Sequence, residues 1–200
     1  MRSILSALAL LCLGSATLWA ATDGLRAFTS EQARRLAVEE GPRPVPTAVL
    51  EDQNGVAFNL ADYRGRKLLV DFIYTRCRTI CTALGTSFER LSNEIAARGP
   101  DGPVLLSISF DSGFDTITRL KAYAELYHAD GKVWRIARVP SREALAAMLT
   151  TFEVVVIPDA LGGFQHNAAI HLIDERGRLA RILAYDEADL AIPVAPSDAR

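Results

Sequence analysis

Two hundred residues, half of them apolar, are enough for one globular domain with its own core. With 22 basic against 24 acidic side chains and a net charge of −2, the chain lacks the cationic surplus of a nucleic-acid binder. It has no block of like charges to serve as an interaction tail, so composition speaks against a nucleic-acid partner.

The N-terminal segment is separate in character. Arg2 precedes an uncharged stretch over residues 4–18, closing on Leu18-Trp19-Ala20-Ala21. This is the pattern of an export signal, with cleavage expected after Ala20. Leu18 is bulkier than the small residue such sites favour, so the alternative is an uncleaved anchor over residues 4–21, at the short end of the roughly 20 residues a span needs. Either reading exports the protein, to the periplasm in a bacterium. Cys12 lies inside the apolar run and belongs to neither site chemistry nor the mature core. Beyond residue 20 only Cys77 and Cys81 remain; in an oxidising compartment such a pair closes unless it is reduced or metallated.

Thr29 or Ser30 ahead of Glu31-Gln32 predicts a short helix to about Glu40. The stretch Gly41-Pro42-Arg43-Pro44-Val45-Pro46 is a stiff linker. Residues 48–50 and 56–60 flank Asn54-Gly55, a hairpin signal. An apolar run over 68–73 reads as a buried strand, and Ile80, Leu84, Phe88, Leu91 and Ile95 follow at helical spacing. Further on, strands are expected over 104–110 and 133–136, and helices from 117 and from Ser141. A hairpin over 168–173 and 179–183 turns on Asp174-Glu175-Arg176-Gly177, and a short acidic helix is expected over 186–190. This alternation implies a mixed sheet with helices on both faces.

The chemistry concentrates in LLVDFIYTRCRTICTALG. Cys77 and Cys81, four apart, are read as sharing the first turn of the helix, about 6 Å apart and on one face. That separation lies within disulfide range. Helix N-terminal N–H groups and the flanking Arg76 and Arg78 favour thiolate. A structural bridge is the bland alternative, although such bridges usually staple distant segments. Of the three histidines, His128 ends a helix, where a cation suits the dipole. His166 precedes a strand and His171 lies inside it, suiting a half-exposed position; a regular strand would point the two to opposite faces. Two sulfurs with one imidazole suit copper, above all Cu(I), better than a four-ligand zinc site.

TRCRTICTALG, SFDSGFDT and QHNAAIHLIDERGRL, in this order, resemble the SCO/SenC family of thioredoxin-like copper chaperones, over roughly residues 45–185. The resemblance implies an α/β thioredoxin-like fold, with a mixed central sheet flanked by helices and an N-terminal hairpin. It implies a copper ion, Cu(I) or Cu(II), held by Cys77, Cys81 and His166, with Asp111 and Asp115 supporting. The implied partners are the copper-bearing subunit of cytochrome c oxidase or other copper chaperones. The chain departs from the family pattern at Arg78, where proline is common, at Asn167, and at His171, where tyrosine is usual. Asp71 stands six before Cys77 in VDFIYTRC, as a buried aspartate does in thioredoxins, where it assists proton transfer; a partly exposed edge carboxylate is the alternative. The rival function is a thiol–disulfide oxidoreductase, with Cys77 attacking and Cys81 resolving. The expected organisation is a signal or anchor over 1–20, a leader helix and linker over 21–46, a thioredoxin-like domain over 47–190 and a tail over 191–200.

Overall fold

The computed structural model describes residues 2–77, 80–99, 102–160, 162–185 and 187; the side chains of Arg2, Ile80 and Cys81 lie outside the description. The acidic helix expected over 186–190, the tail and Arg78 also fall outside it. The chain divides into two compact units, Met1–Gly41 and Pro42–Arg200.

The first unit holds helix α1 (Arg2–Ala21) and helix α2 (Ser30–Glu40). Over Ser3–Ala21, α1 is long and apolar enough to cross a membrane. The start of α2 is fixed by Thr29, whose hydroxyl accepts from the Gln32 N–H at 3.1 Å, satisfying one of the amides that a helix start leaves open.

The second unit is built on an eight-stranded sheet. Its strands are β1 (Arg43–Pro44), β2 (Val49–Asp52), β3 (Ala57–Asn59), β4 (Leu68–Ile73), β5 (Val104–Ser109), β6 (Trp134–Arg138), β9 (Ile170–Ile173) and β10 (Arg178–Leu183). They run in the order β1-β10-β9-β4-β5-β6-β2-β3. Strands β4, β5 and β6 are parallel, and the rest of the ladder is antiparallel. The Asn54-Gly55 hairpin forms as the sequence predicts. Gly55 takes φ +76°, and Asp52 accepts from the N–H groups of Asn54 and Val56 at 2.8 and 2.9 Å.

Helices α3 (Ile80–Arg98), α4 (Ile117–Leu126) and α5 (Arg142–Thr151) complete this unit. Every residue of β4 and β5 is buried, because each strand is covered on both faces. On one face, Phe88 of α3 and Tyr127 at the end of α4 meet Trp134, with ring centroids 5.7 and 6.3 Å apart. On the other, Phe152 behind α5 packs edge-on against Phe72 at 5.1 Å. α3 lies close to its neighbours: a Cβ at Gly85 would come within 2.9 Å of the Tyr127 ring. The expected mixed sheet with helices on both faces is what the chain forms, and the fold is thioredoxin-like.

Outside this sheet, β7 (Val156–Pro158) and β8 (Phe164–His166) make a separate two-stranded ribbon.

Two expectations need correcting. The helix begins at Ile80, so Cys77 does not share its first turn with Cys81. Instead the Cys77 N–H bonds the Tyr74 carbonyl at 3.1 Å, closing a turn at the end of β4. His171 is buried, not half-exposed. It lies on β9, between β10 and β4, with its ring edge-on to Phe72 and Phe152 at 5.6 and 5.3 Å, and its Nδ1 is 3.3 Å from the Val70 carbonyl oxygen.

Candidate functional site

The site grows from the end of β4, where the buried strand gives way to Tyr74, Thr75, Arg76 and Cys77. Backbone at a strand end must find new hydrogen-bond partners, and here Asp115 supplies them. Its carboxylate accepts from the Thr75 N–H at 3.0 Å, the Thr75 hydroxyl at 2.6 Å and the Ser109 hydroxyl at 2.6 Å. Asp115 is fully buried, and these three donors compensate its charge. Asp111, four residues earlier, takes Nε and Nη2 of Arg76 on one oxygen at 3.0 and 2.9 Å. The Asp111 carbonyl accepts from the N–H groups of Phe114 and Asp115, which folds the acidic loop onto the strand end. Both acids of SFDSGFDT therefore grip the two residues that precede Cys77.

His166 arrives from the β7–β8 ribbon. It is half-buried, its ring 5.1 Å from that of Phe110 and 6.4 Å from that of Tyr74. Phe164 meets Tyr74 and Phe110 edge-on at 5.3 and 5.5 Å. Burial pulls the His166 pKa below its ordinary value, which favours the neutral imidazole. A neutral ring has a lone pair available for a metal, and its aromatic walls keep water from competing for it.

The structure thus brings His166 against Tyr74, whose carbonyl holds the N–H of half-buried Cys77. Cys81 follows on the first turn of α3. His171 stays in the core, and exposed His128 turns away to Glu89 on α3, Nδ1 to Oε1 2.7 Å. Tyr74, Phe110 and Phe164 are site residues that the sequence alone does not mark. Their signal is an aromatic beside each candidate segment, visible only once those segments are known to meet.

Asp71 is fully buried in β4, at the centre of the sheet, and is no edge residue. It pairs in register with Ser107, whose hydroxyl accepts from Trp134 Nε1 at 3.0 Å, so it lies on the face covered by α3. Among the described residues no donor has hydrogen-bonding geometry to either carboxylate oxygen, and burial pushes its pKa up to about 7, with the nearby Ser107 hydroxyl offsetting only part of that rise.

The site thus stands on a thioredoxin-like domain, with a Cys-x3-Cys segment after a central strand and a histidine packed on the aromatic residues at that strand's end. The SCO1/SenC family model matches residues 45–194, and the chain belongs to that family. It is 25% identical to the SCO1 protein homolog of Bacillus subtilis over 133 residues, 66% of this chain and 68% of that one. The copper-bound structure of ScoI from Bradyrhizobium japonicum superposes with a TM-score of 0.62 at 22% identity, covering 71% of this chain and 90% of that one. BsSco, described as a member of the Sco family of cytochrome c oxidase assembly proteins in which a disulfide switch was identified, gives a TM-score of 0.62 at 23% identity, with coverage of 74% and 90%.

Proposed function

We propose that this chain is a copper metallochaperone that holds one copper ion, as Cu(I) or Cu(II), on Cys77, Cys81 and His166. It delivers that ion to the dinuclear copper site of cytochrome c oxidase, or to another copper chaperone. The observation that carries the reading is the packing of the His166 ring beside Tyr74, whose carbonyl accepts the Cys77 N–H. Two sulfurs and a neutral imidazole form a soft donor set of the kind copper favours. Family membership and the copper-bound relative support the same reading. The cysteines hold the cargo when reduced and release it when they close to a disulfide, their two electrons passing to an acceptor disulfide.

Copper titration of the reduced full chain tests this. His166→Ala and Cys77→Ser are each expected to weaken binding; wild-type affinity in both variants would overturn the assignment.

Asp71 favours a second activity, thiol–disulfide exchange. A buried carboxyl near pKa 7 on the face under α3 is suited to taking and returning a proton. The Cys77 thiolate would attack a partner disulfide, and Cys81 would then resolve the mixed disulfide and leave the partner as a dithiol. Copper-free turnover that needs Cys77 and ignores His166→Ala would mark this activity.

On location, we place the protein in the periplasm, exported through residues 1–20 and tethered by α1 where that segment is retained. Residues 21–46 form the leader helix and linker, 47–190 the working domain and 191–200 a tail. N-terminal sequencing of the membrane-bound and released forms distinguishes the tether from the cleaved signal.

A further inference from the structure

The residue before Cys77 joins two separate parts of the molecule, the acidic loop and the β7–β8 ribbon. Besides its ion pair with Asp111, the Arg76 guanidinium lies 4.4 Å from the Phe114 ring centroid and 5.5 Å from that of Phe164. Its Nη1 also comes within 4.0 Å of where a Cβ at Gly162 would stand. Gly162 has φ +80°, in the left-handed region, which is what glycine serves at this turn. Phe164 is two residues before His166, on the same short strand. Arg119 also lies over Phe114, 3.5 Å from its centroid, so the aromatic partner of Arg76 is itself held in place. The planar, permanently charged guanidinium can pair with a carboxylate and stack on rings at once, which an ammonium cannot do as well.

We infer that Arg76 is a positioning residue, a latch that holds the β7–β8 ribbon, and with it His166, against the cysteine segment. It acts through the placement of His166. The inference rests on the copper reading above for its functional consequence, while its structural part is independent of metal.

The experiment uses the full chain in detergent, with two readouts. In the first, a competing chromophoric chelator measures Cu(I) affinity for wild type, Arg76→Ala, His166→Ala and the double variant. Arg76→Ala is expected to weaken binding roughly tenfold, from the combined loss of an ion pair and ring stacking. In the His166→Ala background the same change should have no further effect, because a latch without its ligand has nothing to position. In the second readout, amide exchange of the copper-free protein should quicken across residues 156–166 in Arg76→Ala, while Val104–Ser109 keeps its protection. Arg76→Lys, which keeps the charge and loses the flat stack, should fall between the two. An undiminished effect of Arg76→Ala in the His166→Ala background, or unchanged exchange in the ribbon, overturns the latch. Wild-type affinity in His166→Ala would instead overturn the copper ligand set, and the exchange measurement would still decide the latch.

Discussion

The Tyr74 hydroxyl is bonded twice to the backbone of Phe164, donating to its carbonyl at 3.1 Å and accepting from its N–H at 3.3 Å. A side chain at the end of β4 thus does for β8 what a neighbouring strand would do, two residues before the candidate ligand. Tyr74→Phe keeps the ring contacts and removes both bonds. The expected result is faster amide exchange across residues 156–166 and a global loss of about 2 kcal/mol, since each of the two unmade bonds typically costs about 1 kcal/mol. Urea denaturation with exchange mass spectrometry checks both.

Asp115 carries a heavier load. Replacing it with alanine strands the Thr75 N–H and two hydroxyls in a buried setting. A loss of about 3 kcal/mol is expected, measured by urea unfolding. Asp115→Asn keeps one acceptor oxygen and should lose about half as much. Equal stability of the alanine variant and wild type would show that the strand end does not depend on this carboxylate.

Burial of Asp71 makes stability depend on pH in a stated direction. Between its ordinary value of 3.8 and about 7, the unfolded chain has released the proton that the folded chain still holds. Its contribution is fully present below pH 3.8, falls as pH rises, and is flat above about 7. At roughly 1.4 kcal/mol per pH unit, the interval amounts to about 4 kcal/mol. Asp71→Asn should abolish this slope, so its stability relative to wild type should rise by a similar amount between pH 4 and pH 8 in urea titrations.

For His166 the sign is opposite. Burial holds its pKa below 6.5, so the folded ring stays neutral where the unfolded one charges. Stability from this group is present above pH 6.5 and is lost as pH falls through the folded value. A proton NMR titration of the copper-free chain should give a midpoint below 6.5 for this ring, returning to the ordinary value in concentrated urea.

Much of the fold is legible in the sequence because the signals are local. Six consecutive apolar-rich positions announce β4, Asn54-Gly55 announces a hairpin, and Thr29 and Ser141 stand at the two helix starts they predict. The misreadings are tertiary in origin. Cys77 is kept off α3 by a turn pinned through Thr75 to Asp115, forty residues away, which no local pattern encodes. His171 looks half-exposed in a strand of alternating character, yet β10 and β4 flank it and Phe152 covers it. Strands β7 and β8 are three residues each, too short to show a period. Of the candidate site residues, Cys77 and Cys81 stand out through chemistry and spacing, while His166 and the two acids are named by the family resemblance. The aromatics that join them emerge only from the fold.

Among the described residues strand β8 pairs with β7 and shares no ladder with the eight-stranded sheet. Swinging it outward would sever side-chain attachments at Tyr74 and Arg76, and every rung of the main sheet would survive. On the copper reading proposed above, that separation would let the His166 imidazole withdraw while the scaffold beneath stays folded.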